Sequence, residues 1–187
     1  AFMGSFRDSV FGEGRVCPWW LVYTFDNPLR RLVHDPTELL SGMVREGMTV
    51  ADIGCGRGYF SIAMAGMVGD SGMVIAADVQ QKMLDMMQKR AERAAVSKRI
   101  RAVHASPHDI GFREAVDFLL AFWMAHEVEN VSQFFAQSFE IMKRQGKMLV
   151  AEPKMHVSAS TFREIVQAAC AAGFQVSGAP AIRFSRA

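Results

Sequence analysis

The residue types and spacing best suited to chemistry fall in one stretch, Asp52-Ile53-Gly54-Cys55-Gly56-Arg57-Gly58, followed by Tyr59-Phe60-Ser61. Glycines at three alternate positions let the backbone take positive φ, and they admit a ligand where a Cβ would obstruct it. An apolar run, 48–51, leads into the stretch and a helical pattern leaves it. Open α/β sheets bind ligands at such strand-to-helix turns, at the carboxyl ends of their strands. A dinucleotide loop would need a third glycine at position 59, where Tyr59 stands and would block the close approach of helix to pyrophosphate. A phosphate loop of the form GxxxxGK[ST] is absent. Asp52 would repel a pyrophosphate, but it suits a loop-orienting role or contact with a cationic amino group. Asp78, at the end of the next apolar run, stands where an acid accepts hydrogen bonds from ribose hydroxyls.

The elements that must position these residues alternate along the chain. Short apolar, β-branched runs at 48–53, 73–78, 100–104, 116–121 and 147–152 are separated by helical stretches at 60–67, 80–94, 133–142 and 160–172. Alternation of this kind predicts βαβ units and a doubly wound, mostly parallel α/β sheet. Met83, Leu84 and Met87 share one face of the second helix. Residues 174–176 and 181–184 are expected to close the sheet as an antiparallel pair. The chain stops soon after without a turn or polar tail, so the last strand is expected to be cut short. Ahead of the sheet, Asp35-Pro36 with Glu38 forms a capping box for a helix running to about Arg45. Residues 1–34 are expected to form an aromatic and helical appendage, and 35–187 the ligand-binding domain.

The segment Asp52–Gly58 resembles the first motif of the class I S-adenosylmethionine-dependent methyltransferases. Asp78 matches their second-strand acid, 116–121 with His126-Glu127-Val128 resembles their fourth strand and its turn, and 146–153 resembles their fifth strand. The similarity runs from about Asp35 to the end of the chain and has the flavour of the small-molecule, quinone-biosynthesis branch. It implies a Rossmann-like fold, S-adenosylmethionine as cofactor and S-adenosylhomocysteine as product. It further implies a cofactor site formed by Asp52, Gly54, Cys55, Gly56, Gly58, Tyr59, Asp78, Val79, Ser106, Pro107, Ala121 and Phe122. Two departures stand out. The adenine-facing acid after strand three is replaced by Ser106-Pro107, with Asp109 the nearest substitute. The turn before strand five reads Lys143-Arg144-Gln145-Gly146 where the family commonly has Lys-Pro-Gly-Gly.

Methyl transfer from a sulfonium is an in-line displacement, so the protein mainly aligns and desolvates. A base is needed only where the nucleophile must shed a proton. His126 and Glu127, just after strand four, are the candidates for catalysis, against the plainer reading of a histidine satisfied by backbone. Lys154 and His156 follow strand five as candidate substrate contacts or ordinary loop residues. Trp19, Trp20 and Tyr23 either form a lid over the substrate or simply pack the appendage onto the sheet.

Composition narrows the function classes. The 187 residues carry a formal net charge of +2, too near neutral to imply a nucleic-acid partner. Three cysteines without a CxxC pair suggest neither a disulfide framework nor a metal site, and they fit a reducing cytoplasm. No apolar run reaches the roughly 18 residues of a membrane helix. The expected function is therefore methyl transfer to a small molecule in the cytoplasm, with no nucleic-acid partner and no membrane insertion. The alternatives are an RNA or protein methyltransferase, or a module that holds S-adenosylmethionine without catalysis.

Overall fold

The computed structural model describes residues 34–178 and 180–187. The strands are β1 (Thr49–Ile53), β2 (Met73–Asp78), β3 (Ile100–His104), β4 (Val116–Phe122), β5 (Met142–Pro153) and β6 (Ser185–Arg186). The helices are α1 (Pro36–Leu40), α2 (Tyr59–Val68), α3 (Gln81–Arg93), α4 (Val131–Glu140) and α5 (Ala159–Ala171). The sheet order is β3-β2-β1-β4-β5-β6, with β6 the antiparallel member. Strand order therefore reverses between β1 and β4, and the loops leaving those two strands diverge to opposite faces.

β1, β2 and β4 are buried on both faces, which explains their nearly unbroken apolar runs. On one face Val50, Val74, Phe118 and Leu120 meet Leu40 of α1, Phe60 and Met64 of α2, and Leu84 and Met87 of α3. On the other, Ala51, Ile75 and Leu119 meet Phe134 and Phe135 of α4 and Ile165 of α5. Met83, Leu84 and Met87 all point inward, as their spacing predicts.

Three boundaries differ from expectation. Asp35 does cap α1, accepting from Thr37 N–H at 2.8 Å and Glu38 N–H at 3.4 Å. The helix nevertheless ends at Leu40, because Ser41 turns extended and Gly42 takes φ 77°. Residues 174–176 join no strand. Phe174 instead closes α5, its N–H bonding the Ala169 carbonyl at 3.1 Å while Gly173 N–H bonds that of Cys170 at 3.0 Å. This is a Schellman arrangement, and it lays the Phe174 ring edge-on against Phe139 of α4, 5.2 Å between centroids. The antiparallel partner of β6 is consequently the end of β5, Glu152–Pro153. β5 also begins five residues earlier than its apolar run, at Met142, with a register shift against β4 between Val116 and Phe118.

Candidate active site

The glycine loop leaves β1 at the point where strand order reverses. Gly54, Gly56 and Gly58 all lie at positive φ (71°, 52° and 77°). Gly54 N–H and Cys55 N–H both donate to the Ala77 carbonyl, at 2.9 and 3.1 Å, which ties the loop to the end of β2. Arg90 of α3 reaches the Arg57 carbonyl at 3.0 Å from the other side. The glycines have different neighbours. A Cβ on Gly58 would overlap Met87 of α3, whereas one on Gly56 meets none of the described residues within 4 Å. Among the described residues, Gly56 is thus the position where the loop faces open space.

Asp78 sits beside it. One carboxylate oxygen accepts Gly56 N–H at 2.8 Å and the other accepts Gln80 N–H at 2.9 Å. Burial pushes Asp78 above the ordinary carboxylate range, against the pull of these two backbone donors and of nearby His104. An ionised carboxylate offers about four lone-pair sites, so each oxygen keeps capacity for a further hydroxyl donor. Open space at Gly56 beside these oxygens fits a ribose. Val79 follows directly, its carbonyl engaged by His104 Nε2 at 3.0 Å.

Other residues expected to touch cofactor are placed differently. Asp52 is buried and accepts from the equally buried Ser61 hydroxyl of α2 at 2.5 Å, so it fastens β1 to α2. Tyr59 turns its hydroxyl to the His34 carbonyl at 2.9 Å. Ala121 has no exposed surface, and Phe122 is packed among Phe60, His34 and Trp123. β4 lies inside the sheet and is covered on both faces, so these two successive residues are both hidden. Ser106 and Pro107 are exposed, Ser106 forming a bridge with Asp109. Asp109 is bound through both oxygens to Arg113, at 3.0 and 2.6 Å, and by Gly111 N–H; these bonds draw its carboxyl down to about 2. The proposed adenine-facing substitute is therefore committed to its own loop.

Cys55 is buried. Burial, together with the nearby charges of Asp52 and Asp78, pushes its thiol well above the ordinary range. A protonated, enclosed thiol is inert. Brief alkylation of the folded protein with peptide mapping is expected to modify exposed Cys170 and leave Cys55 untouched.

The second half of the site comes from the end of β4. Trp123 adopts φ 60°, a strained value for a bulky residue. It is fixed by its N–H to the Ala151 carbonyl at 2.7 Å and its indole N–H to Ser185 Oγ at 2.9 Å. The bend lays Met124 over Gly54, where an added Cβ would come within 2.8 Å of Met124 Cβ. It also starts the 3-10 turn Ala125–Glu127 that carries His126 and Glu127. Glu152 of β5, fully buried, meets this turn with both oxygens: one accepts Ala125 N–H at 2.8 Å and the other bonds His126 Nδ1. Glu127 Oε1 lies 4.0 Å from His126 Nε2. Burial alone would lower the imidazole's pKa. The Glu152 bond and the charges of Glu152 and Glu127 outweigh it, leaving His126 above the ordinary histidine value.

Lys154 and His156 lie on the exposed turn after β5, with Lys154 N–H bonded to the Phe184 carbonyl at 2.8 Å. Trp19, Trp20 and Tyr23 lie outside the described residues, as does nearly all of the expected appendage. Sequence reasoning missed Glu152 and Met124. Glu152 carried a usable signal, an acid inside an otherwise apolar central run; Met124 carried none.

A family model described as a methyltransferase domain matches residues 50–146, more than half of the chain. The chain belongs to this methyltransferase family. Its resemblance to the methyltransferases is thereby borne out. Demethylmenaquinone methyltransferase of Lactobacillus johnsonii is 28% identical over 110 residues, 58% of this chain and 45% of that protein. The ubiquinone/menaquinone biosynthesis C-methyltransferase UbiE of an Enterobacter is 27% identical over 110 residues, 58% of this chain and 44% of that protein. The chain thus spans less than half the length of these curated relatives. In fold it is similar to a SAM-dependent methyltransferase of Aquifex aeolicus, with a TM-score of 0.79 at 23% identity, covering 87% of this chain and 92% of the other. That likeness concerns the fold.

Proposed function

We propose that this methyltransferase acts on a small organic acceptor, binding S-adenosylmethionine across the glycine loop and Asp78 and using His126 as general base. The observation that carries the reading is the pairing, at one switch point, of open space at Gly56 beside Asp78 with an imidazole anchored by a buried carboxylate. When bound, the cofactor supplies an electrophilic methyl on its sulfonium. Asp78 takes the ribose hydroxyls, and the Gly56 backbone admits the ligand where a side chain would exclude it. Asp52, Tyr59, Ala121 and Phe122 support the pocket from behind. His126 takes a proton from the acceptor's nucleophile, a role worth about 10²–10⁴ in rate. Glu127 beside it, with Lys154 and His156 on the neighbouring turn, line the acceptor's side.

The named relatives act in quinone biosynthesis, so a hydroquinone is the first acceptor to try. Its hydroxyl carries a proton that a histidine of raised pKa is suited to accept. Among the described residues no helix is long and apolar enough to cross a membrane. The free thiols Cys55 and Cys170 suit a reducing cytoplasm.

Thermal unfolding with S-adenosylmethionine, S-adenosylhomocysteine and NAD added separately tests the cofactor site. The two sulfur nucleosides are expected to stabilise the protein by about 2.7 kcal/mol at a hundredfold excess over Kd, and NAD to do nothing. Asp78→Ala is expected to weaken both sulfur nucleosides by about tenfold or more, the worth of one or two hydrogen bonds to a charged group. Unchanged affinity in that variant would remove Asp78 from the site.

A further inference from the structure

We propose that Glu152 is a positioning residue that fixes His126 in one tautomer, its Nδ1 proton given to the carboxylate and its Nε2 lone pair turned toward the acceptor. The inference rests on the reading of His126 as base at this site.

The geometry is specific to this arrangement. Glu152 is 0% exposed, near the end of a central strand, where an ionised carboxylate is costly unless fully bonded. Its two oxygens have two distinct donors on the same turn, the Ala125 backbone N–H and the His126 ring. The backbone bond holds the turn, and so the ring's distance. The ring bond selects which nitrogen carries the proton, because a carboxylate can only accept. A neutral imidazole so held must be an acceptor at Nε2. The charged groups acting on the ring are Glu152 from β5 and Glu127 from its own turn, both acidic, so they also favour the imidazolium formed when the proton arrives. Trp123 contributes indirectly: its left-handed backbone is what returns the chain from β4 toward β5.

Glutamine at this position separates positioning from packing. Glu152→Gln keeps size and can still accept from Ala125 N–H. Its remaining amide group, however, donates, so it bonds a deprotonated Nδ1 and leaves the proton on Nε2. That is the wrong tautomer for a base; the same inversion in a serine protease triad costs about 10⁴ in kcat.

The experiment is a long-range ¹H–¹⁵N correlation on full-length, histidine-labelled protein saturated with S-adenosylhomocysteine, with His126 assigned through His126→Gln. The wild-type ring is expected to show a protonated Nδ1 and an acceptor Nε2, titrating above about 6.5, the ordinary histidine value. In Glu152→Gln the two nitrogens are expected to exchange roles and the midpoint to fall. With a hydroquinone acceptor, kcat is expected to drop at least about 100-fold with little change in KM. A wild-type ring with its proton on Nε2 overturns the proposal without reference to any variant. So does a folded Glu152→Gln whose tautomer and midpoint are those of the wild type. The reading of the site as a methyl-transfer centre fails separately, on the absence of a thermal shift with S-adenosylmethionine.

Discussion

His126→Gln is expected to lower kcat by about 10²–10⁴ while leaving the affinity for S-adenosylmethionine within about twofold, because the role proposed for the side chain concerns the acceptor's proton and not the cofactor. Isothermal titration with S-adenosylhomocysteine and turnover of a hydroquinone acceptor measure the two quantities separately. The pH dependence follows from the direction of the shift. A base is competent only when deprotonated, and His126 holds its proton to a higher pH than an ordinary histidine. Wild-type kcat should therefore climb through a limb centred above about pH 6.5, and that limb should be missing from His126→Gln. A variant that keeps wild-type kcat would show that the acceptor's nucleophile needs no base, or that the proton leaves to water.

The second large effect contrasts two glycines two residues apart. Both have positive φ, so alanine at either position incurs about 1–2 kcal/mol of backbone strain. Gly58→Ala adds overlap with Met87, which is fully buried in the core between α3 and the sheet. Overpacking of that kind costs a further 1–3 kcal/mol or so, making Gly58→Ala destabilising by about 2–5 kcal/mol. Gly56→Ala meets no such neighbour among the described residues, so its stability loss should stay near the strain alone. Its methyl instead occupies the space beside Asp78, and S-adenosylmethionine affinity should fall by about tenfold or more, roughly 1.4 kcal/mol. Urea unfolding and ligand titration on both variants check the contrast. Equal stability losses with equal affinities would mean that the open space at Gly56 is not where the cofactor lies.

These two contrasts show why the site was only half legible in advance. The loop 54–58 and Asp78 could be read because the function proposed for them lies in the backbone and in one carboxylate at a strand end. Glycine at alternate positions after an apolar run has few other uses. That Gly58 packs against Met87 while Gly56 faces open space among the described residues was not legible. Both glycines have the same sequence context, and only the placement of Met87 on α3 tells them apart. Asp52 shows the same gap: a charge at the loop's edge suited a loop-orienting role or a ligand contact, and its bond to the α2 hydroxyl of Ser61 could not be read from either.

The sequence by itself determined the parallel α/β architecture and located the glycine loop and the strand-end acid proposed to bind the cofactor, since each rests on local periodicity or on conformations that one residue type favours. It also placed His126 in the turn after β4. Only the tertiary structure decided which group His126 bonds there. Glu152 lies 26 residues away in sequence and comes to the ring because β4 and β5 pair side by side, Ala121 with Val150 and Phe122 with Ala151. Likewise the end of the chain found its partner in β5 and not in 174–176, because Phe174 was already used to close α5 against α4. Contacts of that kind depend on register between distant segments, and hydrophobic pattern alone does not encode which polar side chain will stand opposite which.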